Sequence, residues 1–151
     1  MFWLFMLKEK GYSSKEIREK YNKFASKYDK WEGFFEWLVI RKLREKLISE
    51  AKGNVLEVGI GTGRNIVYYS DSCNITGIDL SDEMLKIAEK RAGKIGRRVV
   101  LKVGNAEKMP FRNKEFDTIV DTLGICTYPN PVKALKEMKR ICNKNGKILL
   151  L

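Results

Sequence analysis

A chain of 151 residues, 44% hydrophobic and 32% charged, has the length for one domain with a real core and a composition that excludes disordered and fibrous classes. Thirty basic residues against 19 acidic ones leave a net charge of +11, of which about +5 falls in residues 1–52, so no basic tail carries it; a lysine-rich surface, an anionic membrane face and nucleic acid are the readings it admits. The absence of histidine excludes the commonest general base, and three widely spaced cysteines (Cys73, Cys126 and Cys142) make neither a disulfide framework nor a zinc pattern, so no metal site is expected.

Residues 1–52 hold eleven of the sixteen aromatics. The opening run FWLFML (2–7) is too short to span a bilayer and lacks a basic leader, so it predicts neither a membrane span nor a signal peptide, and a cytoplasmic protein is expected. Ile17, Tyr21, Phe24 and Tyr28 recur at helical spacing and predict one amphipathic helix. A second is predicted over Phe34–Ser49, with Phe34, Leu38 and Leu47 on its apolar face, ending at Lys52-Gly53-Asn54. These helices either pack on a sheet or form a lid over a site. The aromatic clusters Phe2–Phe5 and Trp31–Trp37, with lysines nearby, are candidates for peripheral contact with a membrane interface.

Val55–Val58 reads as a short buried strand that feeds a turn containing Gly59, Gly61 and Gly63, followed by a helix. Such a turn frees backbone N–H groups to hold an anionic part of a ligand. Residues 74–79 (NITGID) read as the next strand and set Asp79 20 positions after Gly59, where an acid commonly grips the two hydroxyls of a ribose. Together they predict a nucleoside-containing cofactor. The glycines follow G-x-G-x-G rather than the dinucleotide pattern G-x-G-x-x-G. Ser81 is a predicted N-cap, with Asp82 and Glu83 at the positive end of its helix. Residues 116–122 read as the fourth strand, and 131–151 as a helix, a turn and a fifth strand.

The run VLEVGIGTG (55–63) resembles the first motif, hh(D/E)hGxGxG, of the class I S-adenosylmethionine (SAM)-dependent methyltransferases. GIDLSDEML (77–85) looks like the second motif of that family, and GNAEKMPF (104–111) resembles its third segment, with Asn105 where an aspartate is usual. The resemblance covers residues 53–151 and implies an α/β fold, a Rossmann-like parallel sheet in the order 3-2-1-4-5 flanked by helices. It implies a cofactor set of Glu57, Gly59, Gly61, Gly63, Asp79, Leu80, Asn105, Ala106 and Thr122, with Glu57 orienting the turn and the methionine end of SAM. In related enzymes a YxxxAxxYD segment lies over the cofactor, and YNKFASKYD (21–29) matches it; residues 1–52 then form a helical lid, with Tyr21, Tyr28 and Asp29 as candidates for the substrate pocket. Asp121 is the best-placed candidate base, and capping its own loop is the alternative role.

The resemblance implies methyl transfer to an acceptor. Amine methylation on nucleic-acid bases uses an (N/D/S)PP(Y/F/W) motif where this chain reads DTLG, and base C5-methylation uses Pro-Cys where Cys126 follows Ile125. Nucleic acid is therefore disfavoured as a partner. The implied acceptor is a small apolar or amphipathic molecule, such as a lipid, a quinone or a thiol. A SAM-binding fragment that acts through a partner without turnover, and an RNA methyltransferase, are the alternatives. The family sheet has seven strands, and strands six and seven are absent here, which leaves ILLL (148–151) at an open edge. Truncation of the chain is the favoured explanation, beside dimerisation through strand five or completion by another chain.

Overall fold

Runs such as NVLEV and FDTIVD, too short for stable helices and rich in apolar residues, form the middle of a parallel sheet. The computed structural model describes the backbone of residues 11–35 and 40–151, and the side chains of these except 27 and 29–35. The elements are α1 (Ser14–Phe35), α2 (Arg41–Ile48), β1 (Asn54–Val58), β2 (Asn74–Asp79), α3 (Asp82–Lys94), β3 (Val99–Val103), β4 (Phe116–Asp121), α4 (Pro131–Ile141) and β5 (Cys142–Leu150). Five strands pair in parallel in the order β3-β2-β1-β4-β5, the order the family resemblance implies.

Alternation along β1 and β4 divides the core between the two faces. Leu56, Val58 and Ile119 point to the side where Met138 and Ile141 of α4 cover them. Val55 and Val120 point to the other side, against Ile48 of α2, Tyr69 and Leu149. Leu85, Ala88 and Ala92 of α3 pack on Ile60 and Ile66 beside the glycine turn. Each fully buried Leu, Ile or Val contributes about 1.5–3 kcal/mol. Helix starts follow the expected chemistry: Ser81 Oγ accepts from the Met84 N–H at 3.1 Å, and Asn130 Oδ1 accepts from the Lys133 N–H at 2.9 Å ahead of Pro131.

Four expectations are corrected. The glycine turn leads into a single 3₁₀ turn, Ile66–Tyr68, rather than a helix, because Asn65 and Tyr69 are drawn inward to Glu57. Phe24 is exposed, and the inward face of α1 is carried by Ile17 and Ala25 with Tyr21 and Tyr28 half-buried. Phe34 belongs to α1, since that helix runs on to Phe35, and α2 starts at Arg41; the side chains of Phe34, Trp31, Trp37 and Leu38, and residues 2–5, lie outside the described residues. No turn separates α4 from β5. The NKNG run instead bulges within β5, where pairing jumps from Phe116–Cys142 to Thr118–Lys147 and Asn143 donates to Asp117.

Candidate cofactor and active site

The strand order reverses between β1 and β4, and a cleft opens at the C-terminal ends of the strands there, where open α/β sheets place their ligands. Gly59 and Gly61 form its floor after β1; Ile78, Asp79 and Leu80 form one wall after β2; Thr122, Leu123 and Gly124 form the other after β4. Gly104, Ala106 and Met84 extend the apolar lining beyond β2, and Tyr128 and Thr127 close the β4 side. Ile17, Tyr21 and Tyr28 of α1 make the roof, the two tyrosine rings 6.3 Å apart.

The floor depends on backbone that other residues resist. Gly59, Gly61 and Gly63 have φ of +66°, +55° and +76°, in the left-handed region. A Cβ on Gly61 would meet nothing closer than the Gly59 carbonyl at 4.0 Å, so this face of the turn is open to a ligand. A Cβ on Gly63 would instead strike the Ile66 and Ala88 side chains. Gly63 serves the packing of the turn on α3, and it does not line the cleft.

Asp79 ties wall to floor. One carboxylate oxygen accepts the Gly61 N–H and the other the Ser81 N–H, each at 2.9 Å. Burial pushes its carboxyl above the usual range, opposed by these backbone donors. A carboxylate offers about four acceptor sites, so capacity remains for the hydroxyls of a ribose. The roof is fastened to the same wall: Ser81 Oγ donates to Asn22 Oδ1 at 2.5 Å, and Arg18 and Asn22 donate to Asp82 at 3.0 and 3.2 Å.

Glu57 is 2% exposed and stands behind the turn, outside the cleft lining. Asn65 Nδ2 and the Tyr69 hydroxyl donate to its two oxygens at 2.6 and 2.9 Å. Burial raises its carboxyl to about 7, against the lowering effect of those two donors and of Arg44. Arg44, 5% exposed on α2, donates to Asn65 Oδ1 at 2.7 Å and to Thr122 Oγ1 at 2.8 Å. Motif reading did not single out Arg44, Asn65 or Tyr69, although Asn65 lies two residues past the last glycine of the turn.

Asp121 is buried and accepts three hydrogen bonds. Its Oδ1 accepts from the Gly124 and Ile125 N–H groups at 2.9 and 3.1 Å, and its Oδ2 from the Tyr128 hydroxyl at 2.7 Å. Burial raises its carboxyl and holds the Tyr128 hydroxyl well above the usual phenol range. Leu123, which lines the cleft, sits at φ +63°, in the left-handed region. Motif reading did not single out Tyr128; its hydroxyl would lie 2.8 Å from a Cβ on Gly59, which puts it across the floor. Asn105 is not among the cleft-lining residues; its Oδ1 accepts from the Glu107 N–H at 2.8 Å and its Nδ2 donates to Ser14 Oγ of α1 at 3.2 Å. The Asp29 side chain lies outside the described residues. The described part therefore joins Gly59, Gly61, Asp79, Leu80, Ala106, Thr122, Tyr21 and Tyr28 around one cleft, and leaves Glu57, Gly63, Asn105 and Asp121 outside its lining.

The cleft fits a nucleoside with a charged arm: an open glycine floor, a buried acid with acceptor capacity and an apolar shelf at Met84 and Ala106. Known proteins agree. The family described as methyltransferase domain matches residues 56–150. The chain is 37% identical over 101 residues to phosphatidylethanolamine N-methyltransferase of Cereibacter sphaeroides, covering 66% of this chain and 50% of that protein. It is 29% identical over 158 residues to the ubiquinone/menaquinone biosynthesis C-methyltransferase UbiE of Geotalea daltonii, covering 98% of this chain and 66% of that one. A solved SAM-dependent methyltransferase from Thermotoga maritima superposes with a TM-score of 0.71 at 28% identity, over 88% of this chain and 60% of that one. The chain spans 50% of the length of the first of these relatives. With the five-strand order, the glycine floor and Asp79 in place, the chain belongs to the class I SAM-dependent methyltransferases.

Proposed function

We propose that this cleft binds SAM and that the protein transfers its methyl group to a small apolar or amphipathic acceptor, of the lipid, quinone or thiol class. The observation that carries the reading is the Gly61 N–H bound to Asp79 Oδ2 at 2.9 Å, which joins an open glycine floor to a ribose-type acid in one rigid unit. Gly59, Gly61, Asp79, Leu80, Ala106 and Thr122 are assigned to the cofactor. Glu57, Gly63 and Asn105 act one layer behind them, holding the turn, its packing on α3 and the 104–111 loop. When bound, SAM supplies a methyl group on a cationic sulfonium, already activated for displacement.

What remains for the chain is alignment and exclusion of water, and holding two reactants in attack geometry contributes about 7–11 kcal/mol. The helix α1 acts as the lid, with Tyr21 and Tyr28 facing the acceptor. Asp121 is assigned to shaping the β4 loop rather than to proton removal, since three donors occupy its carboxylate. Tyr128 keeps its proton and presents a fixed ring and hydroxyl across the floor. An acceptor needing no strong base, such as a thiol, an amine or an activated carbon, suits such a site. Relatives named for phospholipid and quinone methylation favour the apolar classes.

No described helix is long and apolar enough to cross a membrane. Contact with a membrane surface is part of the proposal. A second reading, in which the chain binds SAM and acts through a partner, draws on the outer strand β5, which leaves Ile148 and Leu150 exposed at the sheet edge. Incubation with methyl-labelled SAM and a lipid or quinone extract tests the proposal. Label in the apolar fraction supports it, and label only in RNA contradicts it.

A further inference from the structure

Thr122 ends the β4 wall of the cleft, and its hydroxyl oxygen accepts two hydrogen bonds, from Arg44 Nη1 at 2.8 Å and from Asn65 Nδ2 at 3.0 Å. A hydroxyl has two acceptor sites and one proton to give. With both acceptor sites engaged, its proton must point away from both donors. Those donors come from behind the turn, where Arg44 is 5% exposed and Asn65 is fully buried. The Asn65 amide cannot be turned over without loss. Its Oδ1 accepts from Arg44 at 2.7 Å, and its Nδ2 donates to Glu57 at 2.6 Å. A flip would set donor against donor and acceptor against acceptor. The network therefore dictates the polarity of Thr122.

We infer that Thr122 presents a fixed, charge-reinforced hydrogen-bond donor to the cleft, selecting an anionic oxygen on the amino-acid arm of the cofactor, and that Arg44 is the positioning residue that enforces it. This rests on the reading that the cleft holds SAM. Strand β1 lies between β2 and β4, so Asp79 and Thr122 stand two inter-strand spacings apart, about 10 Å. The acid and the hydroxyl donor thus address opposite ends of one ligand. The arm of SAM carries an ammonium and a carboxylate. An ammonium can only donate, and here it would meet an oxygen with no acceptor site left and a guanidinium behind it. A carboxylate accepts the proton and gains from that charge. Arg44 lies on α2, outside residues 56–150 matched by the family, so this specificity comes from the N-terminal segment of this chain.

Titration calorimetry with S-adenosylhomocysteine and with 5′-methylthioadenosine tests the inference, because the second compound keeps the nucleoside and the thioether but lacks the amino-acid arm. Thr122→Val is expected to weaken S-adenosylhomocysteine about tenfold or more and to leave methylthioadenosine within about twofold. Thr122→Ser keeps the hydroxyl and is expected to restore the wild-type preference, whereas Arg44→Met is expected to lose it as Thr122→Val does. If Arg44→Met fails to fold, the two Thr122 variants decide the matter. Equal weakening of both compounds by Thr122→Val, or no weakening of S-adenosylhomocysteine, overturns this inference alone. Wild-type protein that binds neither compound overturns the cofactor reading and this inference with it.

Discussion

Glu57 gives the most quantitative handle on the buried network. Its carboxyl is raised from 4.5 to about 7 by burial, so the folded state holds the proton more tightly than the unfolded chain. Between those two values the native state binds more protons, and stability falls as pH rises. The contribution is therefore most favourable below about pH 4.5 and is lost as pH climbs through 7. Each tenfold difference in proton affinity between the folded and unfolded states is worth about 1.4 kcal/mol, so the full span corresponds to about 3 kcal/mol, a large part of the 5–15 kcal/mol that holds a domain together. Glu57→Gln removes the titration. Its amide oxygen can accept from Asn65, and its NH₂ can donate to Tyr69 once that hydroxyl turns to accept. Any mismatch offsets the variant by an amount that does not change with pH. Urea unfolding of both proteins from pH 5 to 8.5 is the assay. The wild type should lose about 2.5 kcal/mol relative to Glu57→Gln across that range, with the steepest fall between about pH 5 and 6.5 and a flat curve above about pH 8. Parallel stability curves would refute the reasoning, because they would mean that Glu57 titrates alike in both states.

Gly63→Ala should lower stability by about 1–3 kcal/mol, since the residue sits at φ +76° and its Cβ would press on Ile66 and Ala88; an unchanged thermal midpoint would contradict this. Asp121→Asn can still accept the loop N–H groups, so methyl transfer should fall less than tenfold, whereas a general base removed costs about a hundredfold to ten-thousandfold. A radiolabel turnover assay separates the two. Ile148→Lys, at the open edge of β5, should leave the fold intact and shift any concentration-dependent association toward monomer in sedimentation experiments.

Much of this architecture was legible from local chemistry. Val55–Val58, the 74–79 strand and the Ser81 cap are specified by short-range patterns, and the structure keeps them within a residue. The order of the strands came from resemblance, since nothing in the spacing alone says that β4 lies beside β1. That Gly59, Gly61 and Asp79 would meet at one cleft was legible because glycines and an acid at fixed spacing have one common use. What stayed hidden depends on contacts across the chain. Phe24 satisfies helical spacing as well as Ile17 does, and only the docked sheet shows that Ala25 takes the inward place. Arg44 reads as one more surface base in RKLREK, yet it is buried against residues 21 and 78 positions later. The 3₁₀ turn at Ile66–Tyr68 follows from Glu57 drawing Asn65 and Tyr69 inward, a tertiary demand that overrides the expected helix.

Asp79, as the ribose acid at the glycine floor, carries the central assignment. Calorimetric titration of the wild-type protein with S-adenosylhomocysteine, beside Asp79→Ala and Asp79→Asn, tests it most directly. Two hydroxyl hydrogen bonds to a carboxylate, at about 1.5–3 kcal/mol each, predict a single site in the wild type and a loss of about a hundredfold or more in both variants. Variants that fold normally and bind as tightly as the wild type would contradict the assignment of this cleft.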